Sequence, residues 1–332
     1  MNEAYTSLLS RLRTPRKHGK LVLAPSHTRG AYDSHAVDCP FVFEHGGRFY
    51  MVHVGWDSIG YRTGLASSED LLHWRKEGLI LDRGPRGSTT EFSAALTWIL
   101  RENELFAPAA LKPVEGRFVG TYHAYPEAGY EVGPARIGLC RSRDLRRWEL
   151  EEPFLRSSDG GEWERGGLYK SCLVEHGGTY YMFYNAKNRA EWPWVEQIGV
   201  VTSNDLESWR RYPANPVLPV GPKGRFDDTF ASEPCVCKCG DVWVMFYFGL
   251  SSDGHARDSV AFSRDLIHWE ESGEVLVDVG PDGAVDSIHA HKPSVITNDG
   301  RVYHYYCAVA PARGQAGDLD CREIRGIAVA LA

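Results

Sequence analysis

The sequence predicts an all-β fold, a five-bladed β-propeller with four antiparallel strands per blade, and three observations support this prediction. First, the motif Ser-x-Asp-Leu-x-x-Trp recurs, and its later copies are spaced about 60 residues apart. Second, Gly-led aromatic runs follow short apolar segments along the whole chain. Third, these segments are rich in aromatic and β-branched residues and are bounded by Gly, Asp and Asn, which is typical of strands joined by tight turns. The motif copies are Ser68–Trp74, Ser142–Trp148, Ser203–Trp209 and Ser263–Trp269.

Each repeat divides into four predicted strands. An anchor residue opens the first strand, and the aromatic run forms the second. The third strand ends in the Ser-x-Asp-Leu turn, as in Ile198–Thr202, and the fourth follows the Trp, as in Gly78–Leu81. Proline, which opens most of these first strands, is tolerated at the first residue of a strand. The anchors are Pro40, Pro108, Ser171, Pro234 and Pro293.

One domain over residues 1–332 accommodates all the repeats. The fifth blade ends at its third strand, Arg325–Ala330, so we expect an N-terminal strand over 20–25 to pair with it. This pairing would close the ring and cover an exposed edge. Residues 1–14 are predicted to form a short polar helix. The predicted blades span 36–82, 92–156, 168–219, 230–278 and 288–332.

Composition and charge narrow the function classes. The chain has 37 basic and 44 acidic residues and no basic block, so a nucleic-acid partner is not expected. No apolar run is long enough to span a membrane, and the N-terminus lacks a secretory apolar region, so we expect a cytoplasmic protein. The eight cysteines are expected to be reduced and mostly buried, with Cys235, Cys237 and Cys239 on one strand face rather than around a metal. The oligomeric state is left open.

The residues next to the anchors form the main candidate site. The first strand of each propeller blade lines the central channel, so the starts of these strands meet at one mouth of that channel. A purely structural position should look alike in every repeat, whereas these positions differ in charge. This divergence indicates that each blade contributes a different group to a shared site, with internal ion pairing as the alternative. The charged or titratable residues are Asp38, Lys170, Glu233, His291 and Lys292.

Four loop residues are further candidates. Glu91 precedes blade two and Asp228 precedes blade four, and both could reach the channel mouth. Glu131 and Trp192 lie in long loops between second and third strands. A loop carboxylate suits recognition of sugar hydroxyls, and a loop tryptophan suits stacking against a sugar ring. By contrast, Asp70 and its equivalents repeat identically, so we interpret them as turn residues that accept local backbone hydrogen bonds.

Two histidines in blade five raise the question of a metal. His289 and His291 alternate along one strand, and such a pair can bind a metal ion. Alternating strand histidines are more often hydrogen-bonded structural residues. We therefore expect no cofactor, with a channel-bound cation near these two residues as the alternative.

Two segments carry a resemblance to a known family. Val37–Phe43, followed by Gly46–Tyr50, resembles the first-blade segment of the five-bladed β-propeller glycosidases, glycoside hydrolase families 43 and 32 and their relatives. The resemblance implies that Asp38 is the catalytic carboxylate, acting as general base if the enzyme inverts and as nucleophile if it retains. Ser232–Pro234 is similar to the segment that carries the general acid, which implies that role for Glu233. The third carboxylate of those families has no matching Arg-Asp-Pro segment here.

The mechanism expected for this pair follows from its position. Asp38 and Glu233 come from blades one and four, and a wide separation of the two carboxyl groups would leave room for a water and predict inversion. A close lysine would lower the pKa of the acid. We therefore expect Lys170 and Lys292 to face the substrate or Asp38 rather than Glu233.

The functional hypothesis is a glycoside hydrolase that acts on a small carbohydrate, either a short oligosaccharide or a furanoside. One alternative is a phosphorylase similar to the mannoside phosphorylases of family 130. Lys170, Lys292 and His291 would then bind inorganic phosphate. The other alternative is a non-catalytic carbohydrate-binding propeller, because a fold does not fix a function.

Overall fold

The computed structural model describes residues 3–312, 319 and 321–332 of the 332-residue chain. These residues form an all-β fold with one α-helix, α1 (Glu3–Leu12), near the N-terminus. The strands are β1 (Arg16–Lys17), β2 (Ala36–His45), β3 (Arg48–Trp56), β4 (Tyr61–Ser68), β5 (Arg75–Leu81), β6 (Ala95–Ile99), β7 (Phe118–Ala124), β8 (Arg136–Ser142), β9 (Glu149–Leu150), β10 (Gly167–His176), β11 (Thr179–Lys187), β12 (Glu196–Ser203), β13 (Arg210–Arg211), β14 (Phe230–Cys239), β15 (Val242–Leu250), β16 (Ala256–Ser263), β17 (Glu270–Val277), β18 (His289–Asn298), β19 (Arg301–Pro311) and β20 (Glu323–Leu331).

The strands fall into five antiparallel groups of consecutive strands: β2–β5, β6–β9, β10–β13, β14–β17 and β18–β20. The first two groups form separate four-stranded sheets. The other three are joined by short parallel pairings, one between β12 and β14 and one between β16 and β18. The first strands β2, β6, β10, β14 and β18 contact one another in cyclic order. The first strand of every group therefore lies at the centre of the arrangement.

A register shift of the β-bulge type interrupts the first strand of all five groups. In four of them, β2, β10, β14 and β18, the bulge contains a residue with positive φ, a conformation that residues other than glycine seldom adopt. Bulges re-aim side chains and are frequent next to functional sites. Each of these residues directly precedes a predicted anchor. They are Cys39 (φ 48°), Lys170 (φ 39°), Glu233 (φ 54°) and Lys292 (φ 68°).

The second group departs from the predicted alignment. Its first strand, β6, ends before Pro108, so the prediction that Pro108 anchors this strand is wrong. Pro108 lies in the connection between β6 and β7 instead. The β6 segment contains no proline to mark its start, so the anchor pattern was assigned to Pro108, which comes later in the sequence. By strand register this group brings Ala95, paired with His123, to the position that Asp38 occupies in the first group.

The repeated Ser-x-Asp-Leu turn has the structural role predicted for it. In the last copy, Asp265 Oδ1 accepts hydrogen bonds from the backbone N–H groups of Ile267 and His268 at 2.9 and 2.8 Å. The indole N–H of Trp269 donates to the carbonyl of Leu266. The aspartate contacts recur at Asp70, Asp144 and Asp205. The interpretation of these residues as turn residues is confirmed.

The N-terminal segment pairs with the last strand, but not as the continuous strand predicted over 20–25. β1 pairs antiparallel with Leu331 and Ala330 of β20, and Leu23 forms an isolated bridge with Ile327. Gly19, between these two contacts, has a φ of 77° that bends the chain and prevents one uninterrupted strand. The pairing partner was therefore predicted correctly, and the residues that form the strand were not.

Helix α1 lies where a short polar helix was predicted, but it is amphipathic rather than polar throughout. Tyr5, Leu8, Leu9 and Leu12 are buried, which follows the i, i+3, i+4, i+7 spacing of one helix face. Among the described residues, no helix is both long and apolar enough to cross a membrane. The cysteines of that part of the chain form no disulfide.

Candidate active site

Three bulged first strands bring their side chains to one buried cluster with Asp38. The ammonium of Lys292 on β18 lies 2.9 Å from Asp38 Oδ2 and 3.2 Å from Glu233 Oε1. The ammonium of Lys170 on β10 lies 3.8 Å from Glu233 Oε2. All four side chains are almost fully buried. The structure thus places side by side the charged residues that the comparison of repeats selected.

Asp38 is held in its ionised form. Its Oδ1 accepts a hydrogen bond from the backbone N–H of Cys39 at 2.8 Å, and its Oδ2 accepts from Lys292 and from Arg325 Nη1 at 2.9 and 3.3 Å. Burial raises the pKa of Asp38, but the positive charges of Lys292 and Arg325 outweigh it and hold that pKa well below its usual range. Asp38 therefore carries a negative charge at neutral pH.

The pKa of Glu233 is shifted in the opposite direction. Burial raises its pKa, and the charges of Lys292 and Lys170 oppose this without cancelling it. The expectation that both lysines avoid Glu233 is therefore wrong, because β10 and β18 flank β14 and direct their bulge lysines at its carboxylate. Two carboxyl groups whose pKa values are pushed apart are the pattern of an acid–base site.

One ammonium group stands between the two carboxylates. Because Lys292 Nζ contacts both, the facing oxygens Asp38 Oδ2 and Glu233 Oε1 lie within about 6 Å of each other, where the starts of β2, β14 and β18 converge. The separation that distinguishes inversion from retention is that of the two whole carboxyl groups, so the predicted inversion stays a prediction. The space between the carboxylates holds a lysine rather than a sugar.

Glu233 and Lys292 also line a cavity of about 180 Å³. Five aromatic and five charged side chains line it together with two histidines, so the cavity combines apolar ring faces with polar groups, as small-molecule sites do. Asp38 does not line this cavity, whereas Lys292 and Arg325, which cover its Oδ2, do. Other lining side chains are Tyr130, Glu131, Tyr169, Trp194, Glu196, Phe230, Phe248, His289 and His291.

A lysine that the sequence analysis did not select organises one side of the cavity. The ammonium of Lys187 lies 4.5 Å from the ring centre of Trp194 and 5.0 Å from that of Tyr169. It also lies 3.6 Å from Glu131 Oε2, while Glu131 Oε1 accepts a hydrogen bond from the hydroxyl of Tyr61 at 3.0 Å. Glu131 therefore has a cationic neighbour that is itself fixed by aromatic rings.

Glu196 is a second carboxylate that the sequence analysis missed. The parallel pairing of Glu196 with Phe230 brings the start of β12 beside β14. Its oxygens accept hydrogen bonds from Trp194 Nε1–H and from the hydroxyl of Ser232, each at 2.8 Å, and burial raises its pKa. The first residues of the third strands also differ in charge between repeats. Applying the comparison of repeats to them would have selected Glu196, and extending it two residues into β20 would have reached Arg325.

His289 and His291, which were predicted to lie near the channel, both line the cavity, and both are neutral. The Nδ1–H of His291 donates to the carbonyl of Cys307 at 3.1 Å, and His289 Nδ1 accepts from the backbone N–H of Ala256 at 3.1 Å. Burial lowers the pKa of His289 to about 4 and places that of His291 well below its ordinary value. Within residues 3–312, 319 and 321–332, no group of three or more His, Cys, Asp or Glu side chains is arranged to hold a metal ion.

The loop candidates divide into two pairs. Glu91 and Asp228 do not line the cavity: each carboxylate accepts a backbone hydrogen bond within its own loop, from Gly87 at 2.7 Å and from Gly224 at 2.8 Å. These contacts occupy one carboxylate oxygen of each residue, and Asp228 also accepts hydrogen bonds from Ser252. Glu131 lines the cavity. Trp192 is 62% exposed and packs edge-on against Trp194, so it lies at the mouth.

An all-β fold whose repeated strand groups converge on buried carboxyl groups beside a cavity with aromatic side chains agrees with the glycosyl hydrolase class of protein. This protein belongs to the family described as the glycosyl hydrolases family 32 N-terminal domain, whose model matches residues 107–310. This match covers more than half of the sequence and confirms the resemblance to the glycosidase family. It includes Ser232–Pro234 and leaves out Val37–Phe43, so the equivalence drawn at Asp38 stays a prediction.

Three relatives place the protein more closely. It is 30% identical to a solved structure described as a BT0996 RGII complex, with a TM-score of 0.83 over 99% of this protein and 95% of that one. It is 28% identical over 164 residues to the uncharacterised protein Rv1502 of Mycobacterium tuberculosis (strain ATCC 25618 / H37Rv), covering 47% of this protein and 53% of that one. It is 23% identical over 141 residues to a 1,2-beta-oligomannan phosphorylase of Thermoanaerobacter sp. (strain X514), covering 41% and 47%. The matches to these curated relatives span about half of their length.

Proposed function

We propose that this protein is a glycoside hydrolase that cleaves a glycosidic bond of a small oligosaccharide or furanoside in the cavity lined by Glu131, Glu196 and Glu233. The observation that carries the proposal is the state of Glu233, a buried carboxyl group that lines the cavity and whose pKa is raised. Such a group retains its proton closer to neutral pH and can donate it to the leaving oxygen of a glycoside.

We also infer that the five strand groups are the blades of a closed five-bladed propeller. The cyclic contacts among the first strands support this arrangement. The pairing of β1 with β20 supports it further, because it gives the fifth group an outer strand as the other groups have. The cavity would then lie at one mouth of the central channel, where all five first strands begin.

The second carboxylate of the proposed reaction is Glu131. Hydrolysis needs a group on the other face of the sugar that activates water or attacks the sugar carbon. Glu196 has both oxygens committed to fixed donors, whereas Glu131 retains 16% of its side-chain surface and lines the cavity. Lys187 supplies the positive charge that an ionised Glu131 needs. Glu131 itself has a φ of 56°, and such backbone strain is common at functional sites.

Asp38 acts in this proposal as a positioning residue. It holds Lys292 and Arg325 in place through its Oδ2, and these two cations line the cavity. Lys292 in turn contacts Glu233 and limits how far its pKa can rise. The role of catalytic carboxylate that the family resemblance implies for Asp38 stays a prediction, and substitution of both residues tests it against Glu131.

The substrate class follows from the cavity and from one relative. Aromatic walls with converging carboxylates suit the apolar faces and hydroxyl groups of a sugar. The relative that is 30% identical was solved as an RGII complex. We therefore propose RGII oligosaccharides as the first natural-type substrates to test, together with 4-nitrophenyl furanosides and pyranosides.

A phosphorylase is the second candidate, favoured by the similarity to a 1,2-beta-oligomannan phosphorylase. Its phosphate would need the cations predicted for it. Lys170 and Lys292 are, however, buried against Glu233 and Asp38, and His291 is neutral at pH 7. Hydrolysis therefore accounts better for the charges around the cavity.

The test compares Glu233→Gln, Glu131→Gln and Asp38→Asn with wild type on the panel of substrates above, with and without inorganic phosphate. We expect Glu233→Gln to lose at least about a hundredfold in kcat on natural oligosaccharides, since proton donation alone contributes about 10²–10⁴-fold. The loss should be much smaller on 2,4-dinitrophenyl glycosides, whose leaving group needs no proton. Glu131→Gln should lose activity on both kinds of substrate.

Each alternative has its own result. Near-normal turnover of natural oligosaccharides by Glu233→Gln would refute the proposal. Loss in Asp38→Asn with retention in Glu131→Gln would transfer the second role to Asp38. Turnover that requires phosphate and yields a sugar phosphate would indicate a phosphorylase, and binding without turnover across the panel would indicate a carbohydrate-binding protein.

A further inference from the structure

A second cavity, of about 170 Å³, adjoins the first. The two share Tyr130 and Arg325, which line both of them. The Arg325 guanidinium carbon lies 5.6 Å from the ring centre of Tyr130, so the two side chains stack into one partition. A ligand that fills both cavities would cross this partition.

The second cavity combines an aromatic surface with charged and polar groups. Trp56 lines it and packs edge-on against Tyr130, with ring centres 5.5 Å apart and an interplanar angle of 89°. His35, Arg322 and Glu323 line the same space. Glu323 is fixed by two hydrogen bonds to its Oε1 from Arg325, at 3.1 and 2.9 Å.

The two cavities are similar in size, at about 180 and 170 Å³, so a ligand that occupies both would place a unit of similar size in each. A purely apolar occupant would remove water from the charged groups that line the second cavity without offering them hydrogen bonds, which is unfavourable. A sugar satisfies both surfaces, because its C–H face can lie on an aromatic ring while its hydroxyls bond to His35, Arg322 or Glu323.

We propose that the cavity lined by Trp56, His35 and Arg322 is a second sugar subsite, which binds the residue next to the cleaved bond and makes this protein selective for substrates of two or more sugars. The inference rests on the proposed function, because the partition of Tyr130 and Arg325 places the two rings in one oligosaccharide. Nothing in the chemistry of the first cavity requires the second one, so the two proposals can fail separately.

The test uses Trp56→Ala in the full-length protein, with Trp56→Phe as the conservative variant. The control is Leu79→Ala, which removes another partly exposed apolar side chain that lines neither cavity. The two substrates are a 4-nitrophenyl monoglycoside that wild type cleaves and an RGII oligosaccharide. We expect Trp56→Ala to lower kcat/KM on the oligosaccharide about tenfold, to leave it unchanged on the monoglycoside, and Trp56→Phe to restore most of the loss. Thermal unfolding of all variants shows whether each one is folded.

The outcomes separate the subsite from the reaction. Equal values of kcat/KM for wild type and Trp56→Ala on the oligosaccharide would overturn the subsite while leaving the hydrolase intact, as would an equal loss on both substrates. If Trp56→Ala does not fold, Arg322→Ala replaces it, with the same selective loss expected. If wild type cleaves no substrate of the panel, the proposed function fails and the subsite fails with it.

Discussion

The outer turns and the inner bulges of this molecule are built from the same repeat, and both contain non-glycine residues with positive φ. At the outer turns the strained residue is always leucine: Leu71, Leu145, Leu206 and Leu266, with φ between 62° and 68°. At the inner bulges it is cysteine, lysine, glutamate and lysine. A positive φ that recurs with the same residue type stabilises the fold, because every copy of the turn makes the same hydrogen bonds. Repeated strain with different side chains indicates a site to which each repeat contributes its own group.

Among the substitutions that test this comparison, Lys292→Met is expected to have the largest effect, a loss of stability. Removing the ammonium leaves Asp38 and Glu233 buried without their shared counter-charge, which costs about 3–5 kcal/mol of unfolding free energy when one partner of a buried pair is removed. Urea unfolding at pH 7 measures this loss. The matched control is Lys238→Met, whose ammonium lies 3.8 Å from Glu104 in a more exposed pair, so it should change the unfolding free energy by less than about 1 kcal/mol.

Equal stability losses in these two variants would mean that the inner cluster is no more than another ion pair. The distinction between the inner and outer regions would then rest on sequence alone.

A smaller effect is expected from Lys170→Gln, and it concerns pH rather than stability. Glu233 as general acid must be protonated, so activity falls as the pH rises through its pKa. Lys170 lowers that pKa, and removing its charge should raise it and move the falling limb of the pH profile of kcat/KM to higher pH. Lys112→Gln, which removes a lysine that faces Glu175 on the outside, should leave the limb in place. A shift to lower pH in Lys170→Gln would contradict the assignment of Glu233.

The smallest effect is expected at an outer turn. Asp265→Ala removes the carboxylate that accepts two backbone hydrogen bonds, and we expect it to lower the unfolding free energy by about 1 kcal/mol, the usual net contribution of such contacts. Catalytic constants should not change, because this turn lies outside the cavity. A loss of activity in Asp265→Ala without loss of stability would show that the outer turns are also functional.

Much of the strand arrangement could be predicted because the repeat imposes it. The turn role of Asp70 and its equivalents follows from local hydrogen bonds, which a short motif fully specifies. The strand β6 could not be located correctly, because its sequence has neither an anchor proline nor a charged residue that would mark it as a repeat. Local signals predict elements well and fail where one repeat has lost them.

The candidate site was predictable only in part, because its geometry depends on neighbours in space. The cluster of Asp38, Lys170, Glu233 and Lys292 was accessible from sequence, since equivalent positions of a repeat must converge. The orientation of Asp38 relative to the cavity could not be predicted, because it depends on where the side chains of Lys292 and Arg325 lie. Glu196 depends on a parallel pairing between groups, for which the sequence has no marker.

The cluster around Asp38 also has a consequence for the order of assembly. Its two cations, Lys292 and Arg325, lie 254 and 287 positions further along the chain, whereas each outer turn closes within a few residues. Contacts of such long sequence separation form late and slow the folding of β proteins. During synthesis, a nascent polypeptide can therefore complete several groups of strands while Asp38 still lacks both counter-ions. The cluster around Asp38 is thus completed only after the last group of strands, β18–β20, has been added.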